Sequence, residues 1–430
     1  MNEWISWLIR RRFLALVLGM GLLGLAGCQT TAELAALPTR AVAAVAPAGM
    51  VLIDGVPATW TPLPEHTPDP ATNFNRLDPA GATPLPSVTP IFPSRTPRPP
   101  TATPTIAVPT RDPAEPYVAI IPTLPPTDAL GPSKMGLHVI RNNDPNIMEF
   151  VRRGQPAVIK AVDDLGFLAD VKEASPWTVT VGRIEVQGGP YYETDPEQSA
   201  RDFVADQLES YRANPAVDYW EGYNEPDPNM NNMPWYARFE AERVRVMAQH
   251  GLRAAIGGFA TGVPEYDEFA LFVPAIAVAK EHRGILTLHE YGAPDMTYLY
   301  GDPLPGLPTY PDRGSLTFRY RWFYRDFLEP AGLVIPLVIS EAGIDGIIGN
   351  RPGPDGLGWA DFQDYWVQQG WGPDGTQSFI NQLAWYDVGT RQDGYVIGFT
   401  IFTAGGFGYW KNYDINPILP QLADYVAGQR

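Results

Sequence analysis

Short apolar runs alternate with longer amphipathic segments from Met135 to the end of the 430-residue chain. Apolar runs of four to eight residues are typical of buried strands, and an apolar stripe every three to four residues is typical of helices. The pattern predicts eight strands, at 135–140, 157–162, 178–186, 217–224, 254–259, 285–291, 337–340 and 396–402. The predicted helices include 196–214, 235–250, 266–282, 316–330 and 376–390, with a closing helix at about 418–428.

Eight strands, each followed by a helical segment, are typical of an α/β protein with a (β/α)8 TIM barrel. A doubly wound open sheet usually stops at five or six strands and often has a glycine-rich first turn. No Gly-x-Gly-x-x-Gly motif follows the first predicted strand. The sequence therefore predicts one barrel domain over residues 131–430.

The region 29–130 differs in composition, since it holds roughly half of the 46 prolines, many in Thr-Pro pairs. Proline removes backbone donors and threonine adds little apolar area, so we expect no packed core here. We interpret this region as a disordered, semi-rigid stalk that is a candidate for O-glycosylation.

Residues 1–28 have the pattern of a signal peptide, with a basic Arg10-Arg11-Arg12 segment before a short apolar run. Leu25-Ala26-Gly27-Cys28 resembles the lipobox of bacterial lipoproteins, which implies lipidation of Cys28 and an extracytoplasmic, membrane-anchored protein. An uncleaved anchor with an incidental cysteine remains an alternative. The arginines loosely resemble a twin-arginine export signal, so general and twin-arginine export both stay open.

The charge and composition narrow the possible partners. A net charge of −17 argues against nucleic acids and anionic headgroups, which require basic patches. An aromatic content of 12% on this acidic background suits a binder of neutral polymers. The single cysteine excludes an intramolecular disulfide, and none of the five histidines forms a His-x-His or His-Glu-x-x-His pair. We expect no metal or organic cofactor and infer no obligate protein partner.

Reactive side chains of such barrels stand at the C-terminal ends of strands. The predicted fourth strand ends in Asn224-Glu225-Pro226, the sixth in His289-Glu290-Tyr291, and Glu341 follows the seventh. Two glutamates at a barrel mouth suit glycoside chemistry, in which one carboxyl protonates the leaving oxygen and the other is ionised. Carboxyl groups about 5–5.5 Å apart indicate retention of configuration, and about 6.5–9.5 Å indicates inversion.

These strand ends resemble the clan of TIM-barrel retaining glycoside hydrolases that includes many cellulases, mannanases and β-xylosidases. The resemblance spans about residues 134–430 and implies Glu225 as general acid/base and Glu341 as nucleophile. By the same match, Asn224 binds the sugar 2-hydroxyl, Tyr291 hydrogen-bonds the nucleophile and His289 lines the pocket.

A tryptophan that ends strand eight in many clan members is absent, because this strand ends in Phe402-Thr403. Phe407, Tyr409 and Trp410 are the candidate sugar platforms, and Trp410 is taken as the binding residue. We also expect some loop aromatics to contact sugar, the candidates being Trp235, Tyr298, Tyr300, Trp359, Trp366 and Trp371.

Three further polar residues lie on the first three predicted strands. Arg183 is the candidate for an arginine near the nucleophile, although an ion pair with Glu185, two residues on, in the barrel interior is about equally compatible with the pattern. For His138 we favour a core position over a pocket position. The role of Lys160 stays open.

The sequence therefore predicts a glycosidase that hydrolyses a β-linked glycan by a retaining mechanism. A non-catalytic carbohydrate-binding lipoprotein on the same barrel and a transglycosylase remain alternatives, and a metal-dependent barrel hydrolase is a more distant one.

Overall fold

The computed structural model describes residues 117, 119 and 130–430, so the predictions for the signal peptide, Cys28 and most of the stalk lie outside the described residues. Eight strands and their connecting helices confirm the predicted (β/α)8 barrel. The strands are β1 Met135–Val139, β2 Val158–Val162, β3 Val179–Arg183, β4 Tyr219–Trp220, β5 Ala255–Phe259, β6 Ile285–Gly292, β7 Leu337–Ile344 and β8 Val396–Ala404. No helix in the described part of the chain has the length and apolarity to cross a membrane.

The strands are parallel and hydrogen-bond in the order β4-β3-β2-β1-β8-β7-β6-β5. A single parallel bridge between Trp220 and Ala254 brings β4 next to β5, and the Trp220 N–H donates to the carbonyl of Arg253 at 3.0 Å. Strand β4 is much shorter than the predicted 217–224. Its neighbour β5 bends at Gly257 and Gly258, whose positive φ angles of 100° and 60° interrupt the ladder there.

Nine α-helices surround the described barrel: α1 Pro145–Gly154, α2 Leu168–Ala174, α3 Pro196–Ala213, α4 Met233–Gln249, α5 Tyr266–Glu281, α6 Tyr320–Phe323, α7 Gln363–Gln369, α8 Gly375–Arg391 and α9 Leu419–Gly428. The prediction of one long helix over 316–330 is wrong, because α6 has four residues and continues as a π-helical turn, Tyr324–Leu328. Phe318 has a positive φ of 56°, which is incompatible with a helix that begins before it.

The barrel interior is layered. Its lower layer is apolar and consists of Val158, Val181, Tyr219, Ala255, Ile285 and Val338. Side chains alternate along a strand, so the residues two positions further on also face inward. These include Lys160, Arg183 and Glu221, all of which are buried. The layer beneath the mouth is therefore charged, where most barrels of this type pack branched aliphatic residues.

Two residues of the region assigned to the linker pack against the barrel. Ala119 is buried with the main core, and the Tyr117 hydroxyl donates to the Asp295 carboxylate at 2.8 Å. The Tyr117 ring also contacts the Tyr298 ring edge-on, with centroids 5.6 Å apart. The globular part of the chain thus includes residues N-terminal to position 131.

Candidate active site

Three predicted side chains meet at the C-terminal ends of the strands. One carboxylate oxygen each of Glu225 and Glu341 and one ring nitrogen of His289 all lie within 4.8 Å of one another. Nδ1 of His289 is 2.9 Å from Oε1 of Glu225, and its Nε2 is 3.5 Å from Oε1 of Glu341. The imidazole therefore bridges two carboxylates that are 116 residues apart in the chain.

Glu341 points into the barrel because of a bulge in β7. Residues Leu288 and His289 of β6 pair with Ile339 and Glu341, which leaves Ser340 as an extra residue. The pairing of β7 with β8 shifts in the same place. Val338 faces the interior, so strict alternation would turn Glu341 outward toward the helices. The extra residue reverses this, and β7 continues to Ile344 beyond its predicted end at residue 340.

Glu225 lies beyond the short strand β4 in a left-handed backbone conformation, with φ of 46°. For a residue with a side chain this conformation costs about 1 kcal/mol, and such strain is concentrated at functional sites. The Glu225 N–H donates to the carbonyl of Gly258 at 3.0 Å, which fixes the turn. Its side chain is 28% exposed, so the carboxylate faces the open mouth.

Glu341 is buried and surrounded by donors and cations. Its Oε1 lies 2.9 Å from Nζ of Lys160 and 3.2 Å from Arg183, and its Oε2 accepts from the Tyr291 hydroxyl at 2.8 Å. Burial alone raises the pKa of this carboxyl. His289, Lys160 and Arg183 outweigh burial and hold the pKa of Glu341 well below its usual range, so the carboxylate is ionised at neutral pH.

Arg183 and Asn224 belong to the same cluster. The Arg183 guanidinium donates to Oδ1 of Asn224 as well as to Glu341, which orients the amide at the end of β4. Arg183 also lies 3.5 Å from Glu185. The contact of Arg183 with Glu341 is buried, whereas Glu185 is exposed, so the ion pair with Glu185 is not inside the barrel.

The prediction that His138 is a core residue describes only part of its surroundings. The side chain is fully buried, and Nδ1 lies 2.8 Å from the Thr403 hydroxyl, as expected in a core. Its Nε2, however, is 3.5 Å from Oε1 of Glu341, so the ring also forms a wall of the site. Burial lowers the pKa of His138 well below its ordinary value, which keeps the imidazole neutral.

Trp410 lies near the site in an aromatic cluster that follows β8. Its ring contacts Phe402 edge-on at 5.1 Å, and Phe402 in turn contacts Tyr291 at 6.1 Å and His138 at 4.8 Å. Trp410 is 36% exposed and Phe402 is buried. Trp410 is therefore partly accessible and is connected through Phe402 to Tyr291, which hydrogen-bonds Glu341. Its neighbours Phe407 and Tyr409 are also exposed.

The loop aromatics predicted to contact sugar are core residues instead. Trp366 and Trp359 stack on Phe379, and Trp235 stacks on Phe239. Five of the six are buried, namely Trp235, Tyr298, Trp359, Trp366 and Trp371. Tyr300 packs edge-on against Phe318 and Trp385. Two of the six, Trp235 and Trp366, lie in helices α4 and α7 and not in loops. Sequence patterns alone do not separate a core aromatic from a cleft aromatic.

Sequence reasoning missed two acidic residues of the site. Glu221 is buried at the end of β4, with Oε2 2.8 Å from Nζ of Lys160. Asp345 is partly buried four residues after Glu341 and accepts from the Tyr413 hydroxyl at 2.8 Å. Burial raises the pKa of Asp345 to about 7, and the charges of Glu225 and Glu341 add to the effect. The sequence could have indicated Glu221, because it lies two residues after inward-facing Tyr219 and therefore faces the barrel interior as well.

Glu225, His289 and Glu341 are also residue types that bind divalent cations. At Glu341, however, the ammonium of Lys160 and the guanidinium of Arg183 already contact Oε1, at 2.9 and 3.2 Å. These groups repel a metal ion at that oxygen. The positive charge that balances Glu341 is thus the protein's own.

No protein-family model and no curated protein matches this chain. Solved structures with similarity include a family 39 glycoside hydrolase from the gut symbiont Bacteroides cellulosilyticus WH2, at 14% identity and a TM-score of 0.44, covering 72% of this chain and 66% of that chain. XacCel5A in complex with cellopentaose has 12% identity and a TM-score of 0.40, covering 68% and 99%. The endo-1,4-β-D-mannanase of Thermotoga petrophila RKU-1 has 12% identity and a TM-score of 0.39, covering 68% and 99%. This chain thus spans about two thirds of the first structure. At such values, its activity has to be inferred from its own site.

Proposed function

We propose that the chain is a glycoside hydrolase that cleaves a β-linked polysaccharide or oligosaccharide with retention of configuration. The observation that carries this proposal is the pair of carboxylates, Glu225 and Glu341, with oxygens within 4.8 Å at the barrel mouth. Oxygens this close are compatible with the 5–5.5 Å between the carboxyl groups of retaining enzymes, which supports retention over inversion.

In the first step, the ionised Glu341 attacks the anomeric carbon and forms a glycosyl ester. The bond from that carbon to the leaving oxygen breaks, and this oxygen takes a proton from Glu225. The two environments support this division of roles. Lysine and arginine contact Glu341 and keep it anionic, whereas Glu225 is at the mouth and bonds to His289.

In the second step, Glu225 removes a proton from water, the water oxygen attacks the anomeric carbon, and Glu341 leaves as a carboxylate. Tyr291 orients Glu341 through the 2.8 Å hydrogen bond to Oε2. Asn224, fixed by Arg183, is the proposed donor to the sugar 2-hydroxyl. Trp410 is the proposed platform for a sugar ring.

The first test is hydrolysis of a panel of defined β-glycans and aryl β-glycosides, with NMR detection of the first-formed anomer. We expect the substrate's own configuration in the product. Glu341→Ala should abolish turnover, and azide should rescue it as a glycosyl azide of inverted configuration. Glu281→Ala, an exposed glutamate at the end of α5, is the control and should turn over normally.

Wild-type rates in both Glu341→Ala and Glu225→Ala would remove the assignment. Glycan binding without turnover would favour the carbohydrate-binding alternative, and transfer to added sugar acceptors in preference to water would favour the transglycosylase. Because the protein's own cations surround Glu341, we expect turnover to be insensitive to EDTA.

We further propose that the protein is an extracytoplasmic lipoprotein, anchored through Cys28. The support is the sequence alone, with Leu25-Ala26-Gly27-Cys28 after a basic and apolar leader. Metabolic labelling of a bacterial host with tritiated palmitate should label the wild type and not Cys28→Ser. Equal labelling of both proteins would contradict the anchor and leave the enzymatic proposal unaffected.

A further inference from the structure

Lys160 occupies an unusual place in the barrel. It is the charged residue of the otherwise apolar strand β2, and its side chain is 0% exposed. The ammonium lies between two carboxylates, 2.9 Å from Oε1 of Glu341 and 2.8 Å from Oε2 of Glu221. Neither the acid/base step nor the attack on the anomeric carbon requires a lysine here.

A buried ammonium is costly unless it is paired, and one partner at this site is temporary. In the proposed reaction, Glu341 becomes a neutral ester and no longer balances the lysine. Glu221 is the second, permanent partner. Burial raises its pKa, but Lys160 and Arg183 outweigh burial and lower the pKa of Glu221 to about 2, so it is anionic at neutral pH.

The surroundings of Glu341 include groups from five other strands or strand ends. These groups are His138 on β1, Lys160 on β2, Arg183 on β3, Glu221 and Glu225 at the end of β4, and His289 and Tyr291 on β6, with Asp345 following β7 itself. Lys160 has the shortest contact with Oε1 among the cations, at 2.9 Å. Arg183 divides its guanidinium among Glu341, Asn224 and Glu185, whereas Lys160 contacts the two carboxylates of Glu341 and Glu221.

We propose that Lys160, anchored by Glu221, is a positioning residue that fixes Oε1 of Glu341 and maintains this carboxylate as an anion. The inference rests on the proposed function, in which Glu341 is the nucleophile. In the second step, the ammonium lies beside the oxygen that regains the negative charge. Lys160 thereby favours departure of the carboxylate from the glycosyl ester, while Glu221 holds the ammonium in place.

The test measures the ionisation of Glu341 without any substrate. The full chain is labelled with 13C at the glutamate side-chain carboxyls, and the Glu341 signal is assigned with Glu341→Gln. Four variants are titrated beside the wild type: Lys160→Met, Glu221→Gln, the double variant of these two, and Lys134→Met. The last removes a buried lysine at the opposite end of the barrel, where Nζ donates to the Asp393 carbonyl at 2.6 Å.

Loss of a cation at contact distance should raise the pKa of Glu341 by roughly 1–3 pH units. Because Lys160→Met leaves Glu221 buried without its nearest partner, with Arg183 at 3.9 Å, that variant is at risk of misfolding. The decisive comparison is therefore the double variant against Glu221→Gln, which differ only in Lys160 and both lack the Glu221 charge. Lys134→Met should titrate as the wild type.

Equal Glu341 titration in the double variant and in Glu221→Gln would overturn the inference, as would an equal rise in Lys134→Met. On any glycan that the wild type hydrolyses, the acid limb of kcat/KM should move upward by the same amount as the pKa of Glu341. Turnover with an unshifted acid limb would contradict the proposed role of Lys160 and leave the hydrolase proposal unaffected. A raised pKa in a protein without turnover on any glycan contradicts the hydrolase proposal and leaves the effect of Lys160 on the carboxylate intact.

Discussion

Glu290 tests directly whether burial controls the pKa of a carboxyl in this protein, because it is a buried carboxyl on the outer side of the barrel wall. It lies between His289 and Tyr291 and faces the helices. Its Oε2 accepts from the Phe318 N–H and the Tyr386 hydroxyl, both at 2.6 Å, and its Oε1 accepts from the Tyr320 N–H at 2.9 Å. Burial nevertheless outweighs these bonds and raises the pKa of Glu290 from 4.5 to about 7.

A carboxyl with a raised folded-state pKa binds its proton more tightly in the folded protein than in the unfolded chain. Its stabilising contribution is complete below pH 4.5 and is lost as the pH rises toward 7. At about 1.4 kcal/mol for each pH unit, the loss amounts to about 3 kcal/mol over this interval. Glu290→Gln removes the titration and keeps one oxygen, which can accept from the Phe318 N–H or the Tyr320 N–H but not from both, because these groups donate to different oxygens of Glu290. The lost bond lowers stability equally at every pH, so the pH trend still isolates the titration.

The assay is urea unfolding of wild type and Glu290→Gln at intervals from pH 4.5 to 8, with exposed Glu281→Gln as the control. The difference in unfolding free energy between wild type and Glu290→Gln should change by about 3 kcal/mol across this range, in favour of the variant at high pH. The control should show no such trend. A pH-independent difference would show that burial does not dominate the pKa of Glu290. The raised pKa of Asp345, which has the same cause, would then lose its support.

Three other predictions follow from single contacts. Deletion of Ser340 should turn Glu341 outward and abolish turnover. Ser340→Ala should retain turnover, because the hydroxyl has no hydrogen-bond partner in the described structure. Turnover in a deletion variant that circular dichroism shows to be folded would contradict the role of the bulge in directing Glu341 inward. Trp410→Ala should raise KM for a polysaccharide roughly tenfold, equivalent to about 1.4 kcal/mol, with little change in the urea midpoint, and an unchanged KM would exclude a platform role. Tyr117→Phe should lower the unfolding free energy by about 1.5–3 kcal/mol through the lost bond to Asp295, and an unchanged midpoint would show that this segment adds no stability.

The charged layer beneath the mouth indicates that these interior positions serve the site at the expense of the stability that an apolar layer would give. This layer occupies buried positions at which apolar side chains would pack at a lower cost in free energy; its members are Lys160, Arg183, Glu221 and Glu341. Replacement of a buried ion pair by well-packed apolar residues is often neutral or stabilising. We therefore expect apolar replacement of Lys160 and Glu221 together to be tolerated far better than loss of either one.

Much of the barrel is determined by local sequence. Strand and helix periodicity located all eight strands, and most boundaries differ from the predicted ones by a few residues. The strand ends also singled out Glu225, His289, Tyr291 and Glu341, because parallel strands in a barrel deliver their C-terminal residues to one face. These features depend on residues close together in the chain, which is why a single sequence reveals them.

Tertiary structure decided how those residues are arranged. The bulge at Ser340 arises from pairing with both neighbouring strands, and it alone directs Glu341 inward. The contact of Lys160 with Glu221 joins β2 to the end of β4, and no local pattern specifies such a partner. Trp359 and Trp366 lie in the core because they stack on Phe379 of helix α8. Periodicity reports which side of an element is buried, whereas register and packing between distant segments determine which charges meet.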